Sequence, residues 1–354
     1  MNIKVQFLIN TISKPAGTER VTCVIANELA SRGYDVEIVC MYNHGESFYD
    51  LHNDVDVSYL LNKKGGGLIQ DYAALLNALR KKTKGADYII GVGMDLCIFT
   101  APLRLFNRKI KVIGWEHFNL SVKGPVINLA RRLGILFINK IVTITEGDFL
   151  VYRKKFKSDK VLRIYNPATI NAAPVNSYDK KVVLGVGRLT NQKGFDMLIE
   201  SWAGLKEKHA DWKLIIIGNG EERENLLKKA GEYKLSGDHL EIIPAVKNIQ
   251  DYYYRASIYA LSSRFEGLPL VLLESQSIGL PVVSFDCETG PREVIVNGEN
   301  GFLVKPFNIE DFKGKLELLM DSEELRTEMG HKAVSYSTQF STENIIQKWV
   351  EIIN

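Results

Sequence analysis

Arg264-Phe265-Glu266-Gly267-Leu268-Pro269-Leu270-Val271-Leu272-Leu273-Glu274 is the stretch on which the reading of this chain turns. The apolar segment IYALSS runs into it as a strand, and the run after Gly-Leu-Pro reads as a helix ending at QSIG. Glu266 and Glu274 lie eight residues apart, slightly more than two helical turns. With Glu266 in the turn and Glu274 inside the helix, both carboxylates can face one cleft at different depths. The backbone N–H groups of Gly267, Leu268 and Leu270 then point out of a helix start, where anions such as phosphate are favoured. Pro269 loses nothing there, because a first-turn N–H has no helical partner. Acids beside an anion-binding helix start suit a ligand that carries both hydroxyls and phosphates.

Outward from this stretch, strands and helices alternate. Upstream, KKVVLGVGRL, WKLIIIGNG and HLEIIPAV read as strands, separated by the helical stretches FDMLIESWAGLKEKH and GEERENLLKKAGEY; PVVSFDC is the strand that follows. The first half has the same grammar: Lys4–Asn10, YDVEIVCMY, VDVSYLL, ADYIIGVG, IKVIGWEHFN and KIVTITEGD as strands, with helices over Val21–Arg32, Ile69–Lys82, Pro125–Phe137 and FLVYRKKF. This pattern predicts two doubly wound parallel-sheet domains. The Pro/Ala/Asn-rich NPATINAAPVNSYDK is the linker. The expected division is 1–166, 167–338 and a terminal helix over 339–354 that packs back toward the first domain. Ligands of such sheets bind at the carboxyl ends of strands, so the expected site is the cleft between the domains.

Length and composition agree. At 354 residues the chain exceeds one ordinary core. Residues 1–170 hold 24 Lys and Arg against 15 Asp and Glu, a net of +9, while the remainder nets −6. The basic half predicts an anionic partner. Its clusters are Arg80-Lys81-Lys82-Lys84, Arg104 with Arg108-Lys109-Lys111, Arg131-Arg132 and Arg153-Lys154-Lys155-Lys157. Phe149, Leu150, Tyr152 and Phe156 accompany the last of these, and Val126–Phe137 the third. Together they predict a surface that rests on an anionic membrane. No apolar run is long enough to span a bilayer, and MNIKVQFLINT reads as a strand, not a signal peptide. Four scattered cysteines without CxxC predict free thiols in a reducing cytoplasm. Nothing in the chain calls for nucleic acid.

Further residues carry chemistry. In GVGRLTNQKG, Arg188 and Lys193 follow a strand; a guanidinium fork and a point charge suit a diphosphate. His117 closes a strand in Trp115-Glu116-His117-Phe118. Gly17 follows Ala16 just before the first helix, without a GxGxxG dinucleotide fingerprint. Asp54-Val55-Asp56 reads as strand and not as a metal site.

GVGRLTNQKGFDMLIES, LIIIGNGEERENL, SSRFEGLPLVLLESQSIGLPVVSFD and PREVIVNGENGFLV together resemble, in order and spacing, the retaining glycosyltransferases of the GT-B fold, family 4, the group 1 enzymes of surface-polysaccharide assembly. The resemblance is strongest from Val183 to Val304. It implies that Glu274 binds the ribose hydroxyls of a nucleotide and Glu266 contacts the donor sugar. Arg188 and Lys193 would hold the diphosphate and stabilise the leaving group, with His117 near the sugar. Gly17 matches the second glycine of the family's Gly-Gly loop, and Ala16 replaces the first. Val246, in the loop Pro244–Lys247, falls among the nucleotide-contacting positions together with Gly267, Leu268 and Leu270. The implied activity is transfer of a hexose or N-acetylhexosamine from a nucleotide diphosphate sugar, with a UDP-sugar favoured. The acceptor would be a glycan, lipid-linked at the inner face of the cell membrane, and no metal cofactor is needed. A nucleotide-sugar epimerase of the same fold and a non-catalytic nucleotide-sugar binding protein are the alternatives.

Overall fold

The computed structural model describes residues 2–63, 67, 70–117, 124–157, 159–170, 177–235 and 237–354. Ile69, Phe118 and residues 171–176 of the linker lie outside them, as do residues 64–66 of the glycine-rich loop. The chain divides into two compact units, Met1–Asn166 with Glu343–Asn354, and Pro167–Thr342.

The first unit runs β1 (Lys4–Ile9), α1 (Gly17–Ser31), β2 (Asp35–Tyr42), β3 (Val55–Leu61), α2 (Tyr72–Lys82) and β4 (Tyr88–Val92). It continues through the short helices α3 (Cys97–Thr100) and α4 (Leu103–Phe106) to β5 (Lys111–Glu116), α5 (Pro125–Phe137), β6 (Lys140–Thr143), α6 (Glu146–Phe156) and β7 (Val161–Arg163). Among the described residues these strands form a seven-stranded sheet of order β3-β2-β1-β4-β5-β6-β7. Neighbouring strands pair in parallel, from Lys4 opposite Asp35 to Thr143 opposite Arg163. Central strands such as VQFLI and YIIGV are buried along their length, as a parallel sheet covered on both faces requires.

The second unit runs β8 (Val182–Val186), α7 (Phe195–Ala203), β9 (Lys213–Ile217), α8 (Arg223–Glu232), β10 (Leu240–Ile243), α9 (Gln250–Tyr254), β11 (Ile258–Leu261), α10 (Leu270–Ile278) and β12 (Val282–Phe285). α11 (Pro291–Val294), β13 (Gly301–Val304), α12 (Ile309–Asp321), α13 (Glu323–Ser337) and α14 (Thr342–Ile353) complete the chain. Among the described residues its sheet has six strands in the order β10-β9-β8-β11-β12-β13. Val183, Leu214, Ile216 and Ile258 pack there against Phe195, Leu198 and Trp202 of α7 and Phe312 and Leu316 of α12. From Glu343 onward α14 belongs to the first unit: Trp349 lies 4.8 Å from Trp115, ring to ring, and Arg32 pairs with Glu343 at 2.6 Å.

Both units are therefore parallel Rossmann-like sheets, and the differences from the sequence reading are local. α1 begins at Gly17, four residues ahead of Val21, because Thr18, Glu19 and Arg20 offer no helix breaker. α6 begins at Glu146 because the Thr145 hydroxyl caps it, accepting from the Asp148 N–H at 3.1 Å. α7 stops at Ala203, and α12 and α13 occupy a stretch to which the sequence reading gave no helices.

Arg131 and Tyr152 are corrections to the expected membrane surface. Arg131 is buried, its Nε 2.9 Å from Glu116 Oε2, and the buried Tyr152 hydroxyl donates to the same oxygen at 2.7 Å. Both side chains face inward because Glu116, at the buried end of β5, needs partners.

Candidate active site of the second unit

Strand order reverses between β8 and β11. In a doubly wound sheet that reversal opens a crevice at the carboxyl ends of the two strands. The loops leaving β8 and β11 are GRLTNQKG and SSRFEGLP, so the topology brings together the two stretches that carry the charges.

Their backbones are joined directly. Arg264 N–H donates to Gln192 O at 2.8 Å, and the Gln192 amide donates to Phe265 O at 3.0 Å. The Arg264 guanidinium forks onto the Asp196 carboxylate at 2.8 and 2.7 Å and also reaches Asn191 O at 2.7 Å. Gly194 makes the close approach possible. Its φ is +63°, and a Cβ there would stand 2.1 Å from Ser262 O, so only glycine fits. Gly290, with φ +97° and Gly267 O 2.1 Å from a would-be Cβ, lets the loop after β12 lie on the Glu266 loop. The Thr289 hydroxyl then donates to Glu266 O at 2.6 Å.

Held this way, Lys193 Nζ sits 2.7 Å from Glu266 Oε1, with both side chains largely buried. Arg188 is exposed beside them and donates to Gln192 Oε1 at 3.3 Å. Gly267 and Leu268 precede α10, which Leu270 opens with Pro269 as an extended N-cap residue. Leu272 N–H turns back onto Pro269 O at 3.0 Å, and the helix start ahead of it presents partial positive charge. Glu274, one turn on, is almost fully buried. Its Oε1 accepts from the Thr169 hydroxyl at 2.5 Å and its Oε2 from the Tyr253 hydroxyl at 2.9 Å. Val246 lies in the loop after β10, at the same edge of the sheet but without a contact to Arg188, Lys193 or Glu266 among the bonds described. Arg264, Asp196, Thr169, Tyr253 and Thr289 were not among the residues singled out from the sequence. A buried Tyr five residues before a strand carries no local signal of the acid it holds.

Gly17 and His117 belong to the first unit. Gly17 opens α1 after β1, with Ala16 in extended conformation and no side-chain cap. His117 follows β5 with its ring 4.3 Å from that of Trp115. Burial pushes its pKa down to about 3, and its Nε2 is buried without a partner among the described residues. The imidazole is thus neutral across the physiological range and able to give or accept one hydrogen bond. Asp56 lies in β3, and Asp54 in the turn before it.

Residues 169–335 match the family model for glycosyl transferases group 1, and residues 15–171 match that for glycosyltransferase family 4. An uncharacterized glycosyltransferase of Haemophilus influenzae is 37% identical, with 99% of each chain covered. The amylovoran biosynthesis glycosyltransferase AmsD of Erwinia amylovora is 30% identical, again over 99% of each. Among solved structures, Anabaena HepE in complex with UDP and glucose superimposes with a TM-score of 0.82 at 18% identity, covering 99% of each chain.

Proposed function

We propose that this chain, which belongs to the group 1 glycosyltransferases of the GT-B fold, transfers a hexose or N-acetylhexosamine from a UDP-sugar to a lipid-linked glycan with retention at the anomeric carbon. The observation that carries this reading is the Lys193–Glu266 pair, 2.7 Å apart, beside the start of α10 at the point where strand order reverses. As the bond from the anomeric carbon to the β-phosphate oxygen breaks, negative charge grows on the diphosphate. Arg188, Lys193 and the amides of Gly267, Leu268 and Leu270 are fixed donors for that charge, and a low-dielectric site makes such donors effective. The acceptor oxygen bonds to the anomeric carbon on the face the phosphate leaves, and its proton passes to the departing phosphate oxygen. Glu266 holds the sugar and Glu274 holds the ribose. A surface glycan as product is in keeping with the relative named for amylovoran biosynthesis.

The two acids are separated by calorimetry with UDP. Glu274→Ala loses charge-assisted hydrogen bonds to the ribose and is expected to weaken UDP binding roughly 10- to 100-fold. Glu266→Gln is expected to keep UDP affinity and lose turnover. Equal UDP affinity in the two variants overturns the assignment. Glu274→Gln, which keeps the side chain's size and one of the two acceptor oxygens that Thr169 and Tyr253 use, checks with its melting curve that the loss is not one of folding.

The reaction is proposed to run without a metal, because the charge on the leaving group is already met by protein cations. Transfer is therefore expected to persist in EDTA. Complete loss, restored by Mg²⁺ or Mn²⁺, overturns this.

The lipid-linked acceptor is supported by α5. Val126, Leu129, Leu136 and Phe137 are exposed along it, while Ala130, Arg131 and Gly134 face inward. Exposed Leu105 and Phe106 of α4 lie alongside, joined by the Arg104 guanidinium donating to Phe137 O at 3.2 Å. No helix among the described residues is long and apolar enough to cross a membrane, so this surface would rest on one. Each basic residue near an anionic leaflet contributes about 1 kcal/mol. Reversing Arg132, Lys154 and Lys155 to Glu is expected to abolish co-sedimentation with anionic vesicles in low salt. Wild-type protein that ignores anionic and neutral vesicles alike overturns the membrane reading.

A further inference from the structure

His209, Glu317 and Asp321 form a cluster in the second unit that plays no part in the chemistry above. Glu317 and Asp321 are four residues apart on α12 and so share one helical face. His209 lies in the turn that follows α7. α7 starts at the carboxyl edge of the sheet, beside Lys193, and runs back along it, so its far end and that of α12 lie at the amino edge. The cluster is therefore at the opposite edge from Glu266.

The His209 side chain is more than nine-tenths buried, and its Nε2 has no hydrogen-bond partner among the described residues. That atom is aimed at the two acids, 3.9 Å from Glu317 Oε1 and 3.7 Å from Asp321 Oδ1. These distances are too long for hydrogen bonds. A cationic group already sits between the carboxylates: Lys208 Nζ lies 2.8 Å from Glu317 Oε1 and 3.1 Å from Asp321 Oδ2. The Lys208 side chain is 59% exposed, so it can swing into solvent without disturbing the core. Asp321 ends α12, where the helix macrodipole favours positive charge.

We propose that His209, Glu317 and Asp321 bind a transition-metal dication of the zinc class, which ties the turn after α7 to α12. One imidazole nitrogen and two carboxylate oxygens suit Zn²⁺ and not Mg²⁺ or Ca²⁺, which take mostly oxygen ligands in larger number. Bonds of about 2.1 Å at the tetrahedral angle put donors about 3.4 Å apart. The three donor atoms, all within 4.8 Å of one another, need close by only a few tenths of an ångström at the His209 contacts. Water takes the fourth position. The four cysteines are buried and do not compete.

Full-length protein, stripped of metal, is titrated with Zn²⁺ in a non-chelating buffer, and binding is followed by calorimetry and melting temperature. The expected result is one site of micromolar affinity, with melting raised by several degrees. His209→Gln and Asp321→Asn are expected to weaken that site at least tenfold while melting normally without metal. Lys208→Ala distinguishes a metal site from an ion-pair cluster. Loss of the competing ammonium is expected to tighten Zn²⁺ binding several-fold, whereas a cluster that exists only for its ion pairs gains nothing. Co²⁺ is expected to give visible absorption of a four-coordinate centre that is lost in His209→Gln. Zn²⁺ affinity unchanged in both His209→Gln and Asp321→Asn, or no binding at 100-fold excess over the protein, overturns the proposal. None of these readouts passes through sugar transfer.

Discussion

Arg188→Ala is expected to lower sugar transfer about 10²–10³-fold, the usual loss when one preorganised donor is taken from a site of growing negative charge, equivalent to about 2.7–4 kcal/mol of barrier. The melting temperature is expected to stay at its wild-type value. Arg188 is exposed and its guanidinium donates to Gln192 at 3.3 Å, a contact whose loss the β8 loop tolerates because Arg264 still joins it to Asp196 and Asn191. The loss should fall on kcat more than on KM, since the charge is greatest in the transition state. Lys193 makes a less clean probe. It is paired to a largely buried Glu266, so Lys193→Ala leaves a carboxylate without its partner and costs stability as well as rate. Lys193→Met combined with Glu266→Gln removes that charge problem and should restore melting without restoring transfer. Near wild-type turnover in Arg188→Ala, with normal melting, overturns its assignment to the diphosphate.

The parts of the fold that were legible in the sequence are those whose burial is local. A parallel strand covered on both faces must be apolar throughout, and LIII of β9 and YIIGV of β4 announce themselves. Helix α5 was read to the residue because Pro125 opens it and its amphipathic pattern is complete. β13, with four residues, is too short to show a pattern, and it merged into the surrounding PREVIVNGENGFLV. For α12 and α13, the caps were the available signal: Asn308 accepts from Asp311 N–H and Ser322 from Leu325 N–H, each at 3.1 Å.

The site divides in the same way. Arg188, Lys193, Glu266 and Glu274 stand in short loops or helix starts whose chemistry is readable in place. What holds them is distant: Thr169 reaches Glu274 across 105 residues and Tyr253 across 21. No spacing rule finds such a pair. Arg131 was misread for the opposite reason. A run of basic residues beside apolar ones looks like a surface, and nothing nearby discloses that Glu116, fifteen residues earlier, draws one arginine of the pair inside.

That arginine carries the second large effect. Arg131→Met is expected to destabilise the first unit by about 3–5 kcal/mol at neutral pH, the typical cost of stranding one member of a buried ion pair. For a unit of this size that corresponds to a fall in melting temperature on the order of 10 °C. Glu116 is fully buried; burial already pushes its carboxyl above the usual range, against the pull of Arg131 and the Tyr152 hydroxyl. Without Arg131 the folded-state pKa rises further above its unfolded value. The penalty of an ionised, unpaired Glu116 applies above that raised pKa and fades as pH falls through it. The gap between variant and wild type should therefore narrow on acidification. Glu116→Gln in the Arg131→Met background, which keeps an acceptor for Tyr152 without a charge, should recover most of the lost stability. Vesicle binding in the Arg131→Met variant, measured well below its melting temperature, should match wild type, whereas reversal of the exposed Arg132 should weaken it. Unchanged melting together with lost vesicle binding in Arg131→Met would instead return this arginine to the membrane-facing surface.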